Sequence, residues 1–201
     1  MNPTAKTSVS ALEAFRRFQN ELLTQEALVA RLTTPFREDS ENVRIQKGID
    51  LHKYIETGNP RTMQLAWDRD SVDAAIEESD LVGEHELWIS GPLGDTHVHA
   101  KADLVNGLEI RDFKATGLPF KADDYEASYQ WRLYLALTGC ERFVYRVFEV
   151  PDDLPYRVVE SHTFPLYPYP ALLDDCLALV GDFRLWARGV PEIQARIAPP
   201  I

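Results

Sequence analysis

Two aspartates and a lysine in the spacing Asp-x8-Asp-x-Lys, namely Asp103, Asp112 and Lys114, are the residues best placed to do chemistry in this chain. They flank Asn106-Gly107, and Asn-Gly between two alternating apolar runs is a strong short-range hairpin signal. With Asn106-Gly107 as a two-residue loop, Val105 faces Leu108, Asp103 faces Ile110 and Lys101 faces Asp112. Strand side chains alternate, so Asp103, Asp112 and Lys114 project from one face. The two acids become diagonal neighbours roughly 7–8 Å apart. Carboxylates that close repel each other, and a divalent cation would relieve the repulsion. Magnesium binds through one or two carboxylates together with waters and phosphate oxygens, and Lys114 would stand beside it. A solvated hairpin face can also carry such acids with no ligand, so the spacing by itself leaves both readings open.

Several elements must position these groups. Upstream, Ser10-Ala11-Leu12-Glu13 has capping-box spacing, and apolar residues at Leu12, Phe15, Leu22, Val29 and Leu32 predict one helix to about Leu32, broken by Thr33-Thr34-Pro35. Arg16 and Arg17 on it read as a solvated face, with a phosphate contact as the alternative. A second helix is predicted over 41–57, stopped by Gly58-Asn59-Pro60, with Ile45, Gly48, Ile49, His52 and Ile55 facing inward. His52 is then either a satisfied core histidine or a group facing a site. Glycine inside a helix costs up to ~1 kcal/mol, so Gly48 one turn earlier reads as a point of close approach. A third helix is predicted over 63–76. A strand over 81–89 carries Glu84 and Glu86, and Gly91–Asp95 turns the chain into the Asp103 strand, making three consecutive antiparallel strands. Either glutamate could supplement the site, although a polar strand face accounts for both. Downstream, Asp123-Asp124-Tyr125-Glu126 opens a helix to Gly139 on which Gln130 and Tyr134, i and i+4, share a face. Strands over 142–150 and 157–164 and a last helix over 171–188 complete a mixed α/β chain, read as a single domain over 1–201.

Composition narrows the partners. A net charge of −11 argues against broad nonspecific polyanion binding. Most of the excess acid falls in residues 61–100, where Arg61 and Arg69 stand against Asp68, Asp70, Asp73, Glu77, Glu78, Asp80, Glu84, Glu86 and Asp95, read as a face turned away from any nucleic acid. No apolar run is long enough to span a membrane and the N-terminus lacks a hydrophobic signal core. Cys140 and Cys176 provide neither a disulfide framework nor a four-cysteine site. The chain reads as cytoplasmic, with no membrane partner.

Taken in order, KGIDLHKYI, KADLVNGLEIRDFKA and YEASYQWRLYLALTG resemble the successive motifs of the PD-(D/E)XK nuclease superfamily, in its RecB-like and lambda-exonuclease-like branches, across residues 44–150. The resemblance implies a restriction-endonuclease-like sheet core in αβββαβ order, with further helices at both ends. It implies a metal-dependent DNA nuclease of the recombination or repair kind, exonucleolytic or end-processing, cutting phosphodiester bonds at linear or single-stranded DNA ends. His52, Asp103, Asp112 and the Phe113 carbonyl would bind Mg²⁺ or Mn²⁺, and an imidazole ligand tilts the choice toward manganese. Lys114 would orient or activate the attacking water. Gln130 and Tyr134 (with Tyr125 the matching residues of the third motif) would position the site or the strand being cut. Some RecB-like nucleases carry an iron–sulfur cluster on four cysteines; two cysteines exclude it here. A helicase or recombination protein would be a separate partner, and a homo-oligomer is compatible. The competing reading is a non-catalytic nucleic-acid-binding or assembly subunit that keeps the nuclease fold; a third is a globular protein with no nucleic-acid role.

Overall fold

The computed structural model describes residues 5–34 and 42–197. In chain order its elements are β1 (Ala5–Ser8), α1 (Val9–Gln19), α2 (Gln25–Thr33), α3 (Val43–Thr57), α4 (Arg69–Ala75), β2 (Glu84–Leu93), β3 (Thr96–Asn106), β4 (Glu109–Thr116), α5 (Ala122–Glu126), α6 (Gln130–Thr138), β5 (Arg142–Glu149), β6 (Glu160–Leu166), α7 (Leu172–Arg188) and α8 (Pro191–Ile197). The run from α3 through the three strands β2–β4, then α5–α6 and β5, is the αβββαβ order expected from the sequence.

Strand β3 is the hub of a mixed sheet. Antiparallel β2 occupies one edge of it, so β1 and β4 share the other, β1 in parallel at Thr96–His99 and β4 antiparallel at Leu104–Asn106. Beyond β4 come β5, parallel, and β6, antiparallel. One core layer packs Leu12, Phe15, Leu133 and Phe183 of α1, α6 and α7 against Ala100, Ala102, Ile110 and Tyr145. The other packs Leu51, Tyr54 and Ile55 of α3 against Leu104, Phe113 and Phe148. Alternation would keep Ala102 and Leu104 on the same face, yet they enter different layers. The face exchange falls at Asp103, and the ladder to β2 skips the residue opposite, Glu86, whose φ is 57°.

The hairpin register differs from expectation. The pairs are Leu104↔Arg111, Val105↔Ile110 and Asn106↔Glu109, so the turn residues are Gly107-Leu108 rather than Asn106-Gly107. Gly107 takes the positive φ, 59°, at the first central position, where a hairpin turn favours glycine. The hydrophobic pattern explains the choice. It sets buried Ile110 beside Val105 instead of Asp103, and turns Leu108 out to solvent. Continued by one pair, this register brings Asp112 directly opposite Asp103 rather than diagonal to it.

Helix α3 also presents a partly different face from the one expected. Gln46, Lys47, Asp50, Leu51, Tyr54 and Ile55 are buried, whereas Ile45 is exposed. The buried polar groups are all satisfied, as burial requires. Asp50 accepts from Gln46 Nε2, the Gln64 and Leu65 amides and Trp67 Nε1, while Lys47 Nζ donates to the Val150 and Pro151 carbonyls and to Asp152. A Cβ on Gly48 would meet nothing within 4 Å, so this glycine is no point of close approach. Elsewhere the predicted first helix is two, parted near Glu21 (φ 60°) and capped by Ser8 and Thr24 rather than Ser10. The helix expected over 63–76 shrinks to α4, because the backbone before it is held by Asp50. The helix expected up to Gly139 divides into α5 and α6. The Gly91–Asp95 turn narrows to Gly94-Asp95, and β6 begins at Glu160 rather than 157; β1 and α8 were not anticipated. Glu41 and Pro35 lie outside the described residues. Asp80, assigned to an outward acidic face, is fully buried between Arg111 and Arg146.

Candidate metal centre and active site

The site forms where β3 exchanges faces. There the β3–β4 ladder stops and the Asp103 carboxylate takes its place, Oδ2 accepting from the Phe113 amide at 2.8 Å. Helix α3 brings His52 to the same residue, its Nε2 lying 2.5 Å from the Phe113 carbonyl. A carbonyl only accepts, so Nε2 carries a proton, and Nδ1 points toward Asp103 Oδ1, 3.6 Å away. Glu86 completes the group: ligand atoms of His52, Glu86 and Asp103 all lie within 4.8 Å of one another. With His52 neutral, Nδ1 and the two carboxylates would present acceptor atoms toward one another, an arrangement that a cation would stabilise. Imidazole, carboxylate and carbonyl donors together suit Mg²⁺ or Mn²⁺, so the residues present fit such an ion; Lys101, ion-paired to Glu86, supplies part of the positive charge.

Asp112 sits one residue before Phe113, on the opposite side of β4. Its buried carboxylate accepts from Gln130 Nε2 at 2.6 Å and lies 2.5 Å from Lys114 Nζ. Burial pushes the Asp112 pKa up, Lys114 opposes that, and the Asp103 charge adds to it. For Lys114, burial works against the ammonium, but Asp112 and Asp103 outweigh it and raise the pKa, so the side chain stays charged. Tyr134 is buried, and its hydroxyl donates to the Lys101 carbonyl at 2.6 Å. Burial first, then Asp112 and Asp103, raise its pKa, so it stays a phenol.

The structure therefore brings His52, Asp103 and the Phe113 carbonyl to one point as expected, with Asp112 and Lys114 adjacent. Asp112 lies outside the tightest group. Gln130 braces Asp112, and Tyr134 braces the strand bearing Asp103 from within the core rather than offering its hydroxyl to a substrate. Glu86, read first as a polar strand face, belongs to the site; only the β2–β3 register, which sets it opposite Asp103, reveals this. Glu13 is a further positioning residue that sequence reasoning missed. From α1 its Oε2 accepts the Tyr129 and Gln130 amides at 2.7 and 3.1 Å, capping α6 where Gln130 begins.

Two openings reach this centre. A cleft of 430 Å³ is lined by His52, Lys53, Glu56, Glu86, Lys101 and Asp103. On the other side of β4, a groove of 580 Å³ gathers Arg16, Arg17 and Arg31 with Lys114, Tyr125 and Gln130. Three arginines and a lysine against Glu13 and Asp124 leave the groove lining with an excess of positive charge in a chain of net charge −11.

No protein-family model matches the chain, and no curated protein matches its sequence. Among solved structures, the chain is similar in fold to a candidate exonuclease from Eubacterium rectale, with a TM-score of 0.58 at 14% identity, covering 96% of this chain and 82% of that one. The protein SSO0001 superposes with a TM-score of 0.44 at 13% identity over 90% of this chain and 76% of that one, too loosely to carry an argument. The likeness is one of fold. Among the described residues, no helix is long and apolar enough to cross a membrane.

Proposed function

We propose that this chain is a metal-dependent nuclease of the PD-(D/E)XK superfamily, in its RecB-like and lambda-exonuclease-like branch, hydrolysing phosphodiester bonds in DNA. The observation that carries the reading is the convergence of His52, Glu86, Asp103 and the Phe113 carbonyl, with the Asp112–Lys114 pair one residue away. Its fold-level likeness to a structure described as a candidate exonuclease supports the same reading. His52, Glu86, Asp103, Asp112 and the Phe113 carbonyl would hold Mg²⁺ or Mn²⁺. Such an ion, when bound, polarises a phosphoryl oxygen and lowers the pKa of a bound water. Lys114, kept cationic by Asp112 and Asp103, donates to the attacking water or to the charge that develops on the phosphate. Gln130 holds the Asp112 carboxylate in orientation, and Tyr134 holds the β3 backbone. Arg16, Arg17 and Arg31 take flanking phosphates through charge-assisted hydrogen bonds.

The test is incubation of purified protein with linear and covalently closed DNA in Mn²⁺, in Mg²⁺ and in EDTA, with Asp112→Asn as the control. Loss of the linear DNA in metal alone, absent in the variant, is expected; sparing of the circle makes the action exonucleolytic. Intact DNA under every condition overturns the reading, and binding without cleavage assigns the non-catalytic role instead.

A further inference from the structure

On the face of the sheet away from α1, α6 and α7, helix α3 packs against Leu104, Phe113 and Phe148, whereas on β1, β2 and the part of β3 before Asp103 the residues Lys6, Trp88 and Lys101 are exposed and His97 and His99 half-buried. The registers arrange that open face in rows. Lys6 lies beside His97, His99 follows, and Lys101 pairs with Trp88. The next row holds Glu86 and Asp103 of the candidate metal centre. Six residues of strand separate His97 from Asp103, or about 20 Å at the rise of a β-strand. Lys6 and Lys101 put positive charge on this face in a molecule that is acidic as a whole, Lys101 also pairing with Glu86. Partial burial first, then His97 and Lys6, hold the His99 pKa below the ordinary imidazole range.

Trp88 is the anomaly on this face. Its side chain is 69% exposed although the largest aromatic residue is costly to leave in water, and its ring leans over His99 with centroids 6.4 Å apart and planes at 39°. The alternate residues of the same strands, such as Leu93, Val98 and Ala100, bury themselves in the core, so Trp88 has no packing role to explain it.

We propose that this open face is the platform for an unpaired nucleic-acid strand running to the metal centre, with a base stacked on Trp88 and its phosphates on Lys6, Lys101 and the two histidines. An indole face takes any base that has left its duplex, whereas a paired base keeps its faces stacked on its neighbours. Two lysines, Lys6 and Lys101, with imidazoles between them to donate hydrogen bonds, offer contacts to a polyanion in a chain of net charge −11. Trp88 stands two residues from Glu86, about 7 Å along the strand, so a base held there lies close to a phosphate at the centre. The direction of the strand rests on the nuclease reading; the binding itself does not.

The experiment is anisotropy titration of a fluorescein-labelled single-stranded oligonucleotide in EDTA with the wild type, Trp88→Ala and Lys6→Ala. A matched duplex and Mn²⁺-dependent hydrolysis of bis(p-nitrophenyl) phosphate are measured in parallel. Trp88→Ala is expected to bind the single strand about 5- to 150-fold more weakly, the cost of losing one base–aromatic stack, and to hydrolyse the small diester as the wild type does. Lys6→Ala is expected to lower the salt slope of single-strand binding by about 0.7. Wild-type affinity in Trp88→Ala, or a wild type that does not bind the single strand, overturns the proposal. So does loss of self-association in Trp88→Ala with oligonucleotide affinity intact, which makes the face a protein contact. A wild type that binds the strand but hydrolyses neither DNA nor the small diester refutes the nuclease reading and leaves the platform standing.

Discussion

Replacing Asp112 with asparagine keeps the shape of the side chain and removes its charge, so stability and activity are expected to move in opposite directions. Asp112 is buried and its pKa is raised above the ordinary carboxylate value. The folded state therefore holds a proton that the unfolded state has released between the two pKa values. Stability falls as pH rises through that window, and the penalty is complete above the folded pKa. Each unit of such a rise is worth about 1.4 kcal/mol, and Asp112→Asn abolishes it. Against this stands the lost pair with Lys114. That side chain is 35% exposed and can turn to water, so the loss is nearer the ~0–1 kcal/mol of a surface pair than the ~3–5 kcal/mol of a stranded buried charge. The Gln130 contact survives on the asparagine oxygen. In EDTA at neutral pH the variant should match or exceed the wild type, at about 2–4 °C per kcal/mol for a chain of this size, and the difference should vanish as acid protonates Asp112. In Mn²⁺ the order should reverse. Ligand at a hundred times its Kd adds about 2.7 kcal/mol to a protein that binds it, and the variant should gain less and cleave nothing. Calorimetric melting across pH, with and without Mn²⁺, measures both effects. A folded variant that cleaves like the wild type, or one that loses about 3 kcal/mol or more in EDTA, would refute the reasoning.

Further outcomes follow from the same geometry. His52→Ala should cost only about 1 kcal/mol of stability, one hydrogen bond, yet weaken Mn²⁺ binding at least about tenfold by titration calorimetry; a large loss of stability with Mn²⁺ affinity unchanged would make His52 a core residue. Lys114→Ala should lower turnover on the order of 10²–10³-fold with little change in Mn²⁺ affinity, and complete loss of metal binding would show that its role is misassigned. Glu13→Ala uncaps α6, at about 1–2 kcal/mol, and should lower kcat through the displaced Gln130; Glu13→Gln should restore it. Arg17→Ala and Arg31→Ala should each reduce the salt slope of DNA binding by about 0.7–0.9 while leaving hydrolysis of a small diester unchanged.

What the sequence determined on its own was whatever local pattern controls. Alternation and turn residues specify the β2–β3–β4 meander; the spacing of Asp103, Asp112 and Lys114 specifies which groups it carries; helical periodicity closed by Gly139 and Gly189 locates α6 and α7. What only the tertiary structure decided depends on partners far along the chain. The inward face of α3 is set by Asp50 gathering the backbone of Gln64 and Leu65 and by Lys47 reaching Val150 and Asp152, so the stripe counted from apolar residues keeps Ile55 and His52 inward but wrongly includes Ile45 and omits Lys47 and Asp50. The hairpin register turned on whether Ile110 paired with an acid or with Val105, a choice made by burial against helices more than twenty residues downstream. Glu86 became a site residue through its place opposite Asp103, and Glu13 through amides at Tyr129 and Gln130. A hydrogen bond or ion pair between distant residues leaves no periodicity in either segment, because each residue type is also common on ordinary solvated surfaces; only the packed chain brings the two halves together.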